Sequence, residues 1–355
     1  MMKKKLCLRV TLFVITLGLV AFCGISSSHA DQKNPYSIEI SALWPGTSMY
    51  TNAVFWAKEI NESDIGIKAI AREGKGPNVD MKTLAKYEKK RGHLIFFGVE
   101  DSWWGAQQGW KGWETFTKDY DFKRLRHLCM IGFTTDAMLA ADPKIKTMYD
   151  MDGKTFVPAT VGLLNAKAQG FIGTFNEAGI KPVFKPLGVA PMIGSLRDGL
   201  IDVIHGGISL VGPNQFKPSG YLNELFAVKQ INLVSLDPEK AYAMKKKTGH
   251  PGTLVKFPSG AITTTQTEVG YGLGKAITWM CDVSVPDEIV TKMLTVYYKN
   301  INKFKEISIG GMILNEKTMA AIGVSEERFH PAALKFYKET NVPIKSLQDL
   351  GYLDK

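Results

Sequence analysis

The sequence lacks the motifs that mark most hydrolases and metal proteins. Its six histidines form no H-x-x-x-H pair, and no cysteine and histidine have the spacing of a zinc site. No G-x-S-x-G motif occurs, so no serine is marked as lying on a nucleophile elbow. The stretch GYGLGKA at 270–276 lacks the spacing of a phosphate-binding loop, and we interpret it as a glycine-rich hinge or turn. We therefore expect no catalytic residues, no metal and no cofactor.

Long apolar runs are equally scarce. The run from Val10 to Phe22 is shorter than the roughly 20 residues that a helix needs to cross a bilayer. Four basic residues precede it, and Ser28 and Ala30 supply the small side chains that a signal peptidase accepts. This pattern predicts a signal peptide over residues 1–30, cleaved after Ala30, and a mature protein exported to the periplasm.

Neither charge nor cysteine content indicates a specialised protein. The net charge of +10 includes four basic residues within 1–30, and the remaining excess is spread along the chain. A nucleic-acid-binding protein more often clusters its basic residues, so we expect no nucleic acid partner. Cys129 and Cys281 remain after the signal segment, either as one disulfide or as two buried thiols. The remaining length, about 325 residues, favours two domains.

Apolar strands alternate with amphipathic helices in both halves of the chain, which predicts two α/β lobes with largely parallel sheets. Strands are expected at 36–43, 65–71, 93–98, 153–159, 181–187 and 200–207. Helices are expected at 48–61, 80–92, 162–178 and 190–199. A long helix is expected to begin at Pro286 and extend to Phe304, and Pro331 opens a last helix.

Four stretches of the sequence resemble the solute receptors of TRAP transporters, of the TAXI type. The segment 150–180 is similar to their D-L-x-G-K-r-v pattern with the glycine-rich helix start that follows it. The segment 192–207 resembles their alternation of a helix, a D-G-x-I-D turn and a strand, and 256–260 their aromatic-Pro-Gly. RFHPAALKFYKE at 328–339 is similar to their closing L-H-P-G-A-x-x-Y-Y-x-E. The four stretches follow one another in the family's order.

The resemblance implies a two-lobed periplasmic binding protein fold of type II, with a ligand cleft between the lobes. Lobe 1 would comprise residues 31–130 and its completion at 261–355, and lobe 2 residues 131–260. The family's function is to capture a small organic solute, often a carboxylate or an amino acid, and to deliver it to a TRAP-type membrane permease. A ligand-sensing protein for a signalling receptor and, less favoured, an exported enzyme on the same scaffold are the alternatives.

In lobe 1, three segments are expected to border the cleft. The first is the glycine-containing loop before helix 48–61, the second matches part of the family's G-S-x-x-N loop, and the third is a loop after strand 93–98. Their candidate ligand-binding residues are Gly46, Thr47, Ser48, Gly76, Asn78, Asp80, Glu100, Asp101 and Trp103. The first segment also has an ordinary structural interpretation as a helix N-cap. For the third segment the alternatives are a solvated loop at Glu100 and Asp101 and aromatic packing beneath the lobe.

In lobe 2, the family's G-S-G-T becomes Gly162-Leu163-Leu164-Asn165, which indicates a more apolar pocket. Gly162 and Asn165 are the candidate ligand-binding residues of this segment. His205 and Gly206 are further candidates, because ligands in such α/β sheets lie beyond the carboxyl ends of strands. The alternative is a core histidine followed by turn glycines. No arginine stands out as a carboxylate clamp, and Arg72 and Arg197 are the candidates.

Overall fold

A computed structural model describes residues 34–108, 118–158, 164–262 and 266–354, with the backbone alone for 164–167. Its strands are β1 Tyr36–Ala42, β2 Ile67–Glu73, β3 Leu94–Gly98, β4 Leu125–Ala140, β5 Thr155–Val157, β6 Val183–Phe184, β7 Val203–Gly212, β8 Gln215–Pro218, β9 Asn232–Val234, β10 Thr253–Phe257 and β11 Gly270–Asp282. Its helices are α1 Ser48–Glu62, α2 Pro77–Lys86, α3 Glu100–Gln107, α4 Leu164–Ala178, α5 Val189–Arg197, α6 Asn223–Val228, α7 Pro238–Thr248, α8 Asp287–Lys299, α9 Phe304–Ile307 and α10 Pro331–Glu339. Among these described helices, none has the length and apolar character needed to cross a membrane.

The strands form one mixed sheet with the order β2-β1-β3-β11-β4-β7-β5-β6, and β10, β8 and β9 pair beside β11, β7 and β4. At one end β2, β1 and β3 run parallel, and at the other end β7, β5 and β6 do the same. Antiparallel β11 and β4 join these two parallel blocks. The predicted α/β class is confirmed.

Two long strands, β4 and β11, belong to both halves of the sheet. The first part of β4 pairs with residues 278–282 of β11, and residues 278–281 also pair with β3. From Gly132 onward, β4 pairs with residues 273–277 of β11, and from Thr134 it also pairs with β7. The β4–β11 ladder is irregular at Ile277/Thr278 and at Trp279/Met280, where the strands leave one half for the other. Of the two alternatives predicted for 270–276, a hinge or a turn, the turn is therefore wrong, because these residues lie within β11.

The strand that contains His205 also differs from the prediction. It begins at Val203 and continues through both glycines to Gly212, so Gly206 and Gly207 do not end it. A Cβ atom at Gly206 would lie 2.3 Å from Leu139 Cδ1, which shows that this glycine makes room for a core leucine. The absence of a side chain is thus required for packing, and the pattern of strand followed by glycine is misleading here.

Two predicted helices are shorter than expected. The helix predicted at 80–92 begins at Pro77 and ends at Lys86, and a 3₁₀ turn follows at Glu88–Lys90. The long helix after Pro286 ends at Lys299, after which Ile301–Lys303 form a 3₁₀ turn. In both cases the apolar periodicity extends beyond the helix, because 3₁₀ turns keep a similar spacing of side chains.

Trp56 holds α1 against the sheet and against α8. Its side chain is fully buried, with ring centroids 5.6 Å from Trp279 of β11 and 5.3 Å from Tyr297 of α8. Its indole Nε1 donates to the carbonyl of Met293 at 3.3 Å. Aromatic pairs of this kind add about 0.5–1.5 kcal/mol each beyond area burial. These contacts position the N-terminus of α1.

The two cysteines are both free and buried in the sheet. Cys129 lies on β4 opposite Trp279, and Cys281 lies on β11 opposite Arg126. Burial raises the pKa of each thiol well above its usual value. Of the two alternatives that the sequence leaves open, the structure has the buried thiols.

Gly132 allows β4 to lie against the backbone at Gly310, since a Cβ atom there would come within 2.6 Å of the Gly310 carbonyl oxygen. Replacement Gly132→Ala should lower the free energy of unfolding in urea by about 1–3 kcal/mol. The control Gly194→Ala lies inside α5, where a Cβ atom meets nothing within 4 Å. That variant should be neutral or stabilised by up to about 1 kcal/mol. Equal losses in the two variants would contradict the expectation.

Candidate functional site

A cavity of about 300 Å³ opens where the two halves of the sheet meet. Its walls come from the N-terminus of α1, the middle of β4 and β11, β7, the turn after β8, and the segment at Ile309 and Gly310. The polar side chains that line it are Thr47, Ser48, Thr134, His205, Ser209, Ser219, Tyr221 and Lys275. Apolar side chains and glycines complete the lining. The volume lies at the lower end of the range of small-molecule sites.

The N-terminus of α1 faces this cavity. Thr47 is the N-cap, and its hydroxyl oxygen accepts from the backbone N–H of Tyr50 at 3.3 Å. The backbone N–H groups of Ser48 and Met49 have no acceptor among the described residues. No acidic residue lies in the first turn, so the positive end of the helix dipole is not neutralised there. Gly46, Thr47 and Ser48 all line the cavity, and their contact with a ligand stays a prediction.

Lys275 is a charged residue of the lining, and its charge is already paired. Its Nζ lies 2.6 Å from Asp101 Oδ2 and 2.6 Å from Asp136 Oδ2. Burial lowers the pKa of Lys275, but the two carboxylates raise it by more, so that the ammonium stays charged. Asp101 comes from α3 and Asp136 from β4, so this ion cluster links three elements. Asp101 therefore lies next to the cavity without lining it.

Glu100 does not reach the cavity. It lies in the first turn of α3, where the sequence predicts a loop. Its Oε1 contacts His127 Nε2 and accepts from the Arg328 guanidinium at 3.0 Å. Burial raises the pKa of Glu100, but His127 and Arg328 outweigh burial and hold it below its usual range. Glu100 is thus committed to a buried network beneath the site.

His127 joins this carboxylate to a hydroxyl. Its Nδ1 lies 2.8 Å from Thr278 Oγ1, which gives a hydroxyl, an imidazole and a carboxylate in series. Such a series can activate a nucleophile where a substrate reaches the hydroxyl. Thr278 and His127 are fully buried and do not line the cavity. This arrangement therefore connects β4, β11 and α3 and offers no hydroxyl to a solute.

The second predicted segment of lobe 1 lies away from the cavity. Gly76 is the N-cap of α2, and Asn78 lies in its first turn. Asp80 is buried, where it accepts from Ser41 Oγ at 2.9 Å and from the Arg72 guanidinium at 3.1 Å. Burial raises the pKa of Asp80 to about 6, against the opposing effects of Ser41 and Arg72. Arg72 is thereby paired and does not act as a clamp in the cavity.

Trp103, which is predicted to border the cleft, does not line the cavity. The Arg328 guanidinium lies 3.3 Å from the Trp103 ring centroid, and the indole N–H donates to the Phe122 carbonyl at 2.9 Å. Arg197 is on the surface beside Asp198. Gly162, and the side chain of Asn165, lie outside the described residues.

His205 lines the cavity and is almost fully buried. Its neighbour Gly206 does not line the cavity, and a Cβ atom at Gly206 would lie against the core residue Leu139. Sequence reasoning missed five polar residues of the lining: Thr134, Ser209, Ser219, Tyr221 and Lys275. They lie on β4, β7, β11 and the turn after β8, and β4, β8 and β11 were not predicted. The continuous apolar run LCMIGF at 128–133 was the available signal for β4.

Comparison with known proteins gives a family and a fold. The sequence model of the NMT1-like family matches residues 50–340. Among curated proteins, none matches the chain significantly. The solved periplasmic binding protein BugD is similar, with a TM-score of 0.50 and 12% identity, over 86% of this chain and 98% of BugD. This match confirms the predicted two-lobed periplasmic binding protein fold of type II.

Two Rhodopseudomonas palustris structures are similar at lower scores. MatC with bound malate has a TM-score of 0.48 and 12% identity over 86% of this chain and 96% of its own. Rpa4515 with adipate has a TM-score of 0.49 and 14% identity, also over 86% of this chain and 96% of its own.

Removing the cation of the Lys275 cluster should destabilise the protein. Lys275→Met leaves two buried carboxylates without their counter-ion, and the free energy of unfolding at pH 7 should fall by about 3–5 kcal/mol. The control combines Lys275→Met with Asp101→Asn and Asp136→Asn, and it should recover most of the loss in urea denaturation. A triple variant as unstable as Lys275→Met would contradict this role.

The burial of Asp80 predicts a pH dependence of stability. A folded-state pKa of about 6, against an ordinary 3.8, means that the stabilisation is complete below 3.8 and is lost as the pH rises through 6. Over this interval the free energy of unfolding of the wild type should fall by about 3 kcal/mol relative to Asp80→Asn. Urea denaturation of both proteins at a series of pH values measures the difference. A constant difference across the interval would show that Asp80 has an ordinary pKa.

Proposed function

The chain belongs to the NMT1-like family, and we propose that it is an extracytoplasmic receptor that binds a small organic solute in the cavity between the two halves of its sheet. One observation carries the proposal. A cavity of about 300 Å³ lies at the crossover of β4 and β11, and hydrogen-bonding groups line it together with apolar side chains. Because both halves contribute to its walls, movement about the crossing strands would open and close it.

The N-terminus of α1 supports a carboxylate as one group of the solute. The backbone N–H groups of Ser48 and Met49 have no acceptor within the described part of the chain, and both residues line the cavity. Together with the Ser48 hydroxyl, these N–H groups can donate to an anion, which a helix N-terminus stabilises. The dipole of α1 is unopposed by acidic residues in its first turn. Among the described lining residues no arginine is present, so a carboxylate would be bound by peptide and hydroxyl donors.

We place the receptor in the periplasm and assign it the delivery of its solute to a TRAP-type permease. The signal-peptide pattern of residues 1–30 supports export, and the resemblance of four stretches to TAXI receptors supports the permease type. A ligand-sensing protein would use the same cavity and differ only in its membrane partner. An exported enzyme would need a reactive side chain in the lining, and the buried Thr278 with His127 does not supply one.

Solute binding is tested by blocking the cavity from a tolerant position. Val189 lines the cavity at the partly exposed start of α5, so Val189→Trp should fill the cavity without disturbing the core. The matched control is Val183→Trp, which lies half-exposed on edge strand β6 outside the cavity. The purified proteins are first unfolded, and any released solute is identified by mass spectrometry. The refolded proteins are then screened for thermal stabilisation by carboxylic acids.

A solute at 100 times its Kd should stabilise the wild type by about 2.7 kcal/mol. Val183→Trp should retain this stabilisation, and Val189→Trp should lose at least about tenfold in affinity by titration calorimetry. Equal affinities of the two variants would place the solute elsewhere. Turnover of the solute during incubation would favour the enzyme.

A further inference from the structure

Three hydroxyl groups converge on the place where Gly207 has no side chain. An ideal Cβ atom at Gly207 would lie 3.0 Å from Ser219 Oγ, 3.2 Å from Tyr221 Oη and 3.8 Å from Thr134 Oγ1. All four residues line the cavity, and they come from β4, β7 and the turn after β8. We call this group the Gly207 recess. Any side chain at 207 would occupy it.

The recess offers hydrogen-bond donors to the cavity. Tyr221 Oη accepts from the Gly207 backbone N–H at 2.8 Å, so its own proton points away from that bond, and no described residue accepts it. The Thr134 and Ser219 hydroxyls also have no hydrogen-bond partner among the described side chains and backbone groups. Burial raises the pKa of Tyr221 to about 12, so the phenol stays protonated.

The charges around the recess do not favour a second anion. Lys275, opposite Thr134 on β11, is already paired with Asp101 and Asp136, so its ammonium is engaged before a solute enters. A second carboxylate placed beside this cluster would be desolvated, and the engaged Lys275 ammonium would not compensate for this cost. An ammonium group of the solute is not favoured here either, because neither Asp101 nor Asp136 lines the cavity and could accept from it.

We propose that the Gly207 recess binds an uncharged hydrogen-bond acceptor of the solute, and that the solute is therefore a monocarboxylate with a second, neutral polar group such as an amide, a ketone or a hydroxyl. This inference rests on the proposed function and names its substrate class. The carboxylate binds at the α1 N-terminus. The α1 N-terminus and the recess are connected through neighbouring residues. Ser48 lies beside Gly310, and Gly310 contacts Gly132, which precedes Thr134 by two residues on β4.

Matched solutes test the class directly. Titration calorimetry with the unliganded wild type compares succinate, glutarate and adipate with their monoamides, and glutamate with glutaramate. At the best chain length, the monoamide should bind at least about tenfold more tightly than the dicarboxylate and than the amino acid. A dicarboxylate or an amino acid that binds as tightly as the monoamide would overturn the proposal.

Variants locate the neutral group. Ser219→Ala and Thr134→Val each remove one hydroxyl of the recess, and each should weaken monoamide binding about three- to tenfold. Gly207→Ala fills the recess and should weaken it more. The matched controls lie outside the cavity: Ser195→Ala removes a partly buried hydroxyl of α5, and Gly194→Ala adds a Cβ atom that would meet nothing within 4 Å. Equal effects of the recess and control variants would overturn the assignment.

Failure of this inference is distinguishable from failure of the proposed function. If the dicarboxylates bind best and Val189→Trp still abolishes their binding, the receptor stands and the recess proposal is wrong. If none of the solutes binds, the proposed class is wrong, and the solute released on unfolding decides whether the protein is a receptor. Circular dichroism and urea midpoints confirm that each variant is folded before its affinity is compared.

Discussion

The pairing of β4 with β11 is the constraint on which the rest of the structure depends. Each strand runs through both halves of the sheet, so their ladder fixes how the two parallel blocks face each other. Its two irregular positions, beside Ile277 and Trp279, lie where the strands change halves. Irregular ladder positions bend and twist strands, which is what a crossover requires. The cavity lies beside this crossover, and both halves contribute to its walls.

The Lys275 cluster ties this crossover to α3. Asp101 is carried by the helix that follows β3, whereas Lys275 and Asp136 lie on the crossing strands, so the ion cluster fixes the start of α3 over the sheet. Buried ion pairs gain little net stability, because desolvation offsets most of the attraction. In this protein the Lys275 cluster serves to fix the position of α3 on the sheet. Because the Lys275 ammonium is engaged by two carboxylates, hydroxyl and peptide groups of the neighbouring cavity gain importance for recognition.

The sequence was informative wherever local pattern decides structure. The alternation of apolar strands and amphipathic helices over 36–98 correctly predicted β1, α1 and β3, and Thr47 is the helix cap that its position suggested. Patterns failed where distant contacts decide. The glycines of 270–276 look like a turn, yet all three lie in β11 because phenylalanine, leucine and backbone atoms occupy the space of their side chains. Nothing local distinguishes such glycines from turn glycines.

The same limit applies to the site: acidic residues were selected because they are chemically conspicuous, yet Asp80 and Glu100 are paired with neighbouring side chains. The polar lining comes from hydroxyl side chains on strands, which become notable only when tertiary structure brings them together.

Recognition by such groups also suits the proposed role of delivering a solute. A neutral hydrogen bond contributes about 0.5–1.5 kcal/mol net, so no single contact at the Gly207 recess or at α1 gives high affinity alone. Affinity then depends on satisfying both halves of the cavity at once. Movement about β4 and β11 that separates the walls would break these contacts together and release the solute. A buried, unshared ion pair to the solute would resist this, since opening would have to separate charges in an apolar environment. The engaged state of Lys275 is therefore consistent with a receptor that must both hold its solute and give it up.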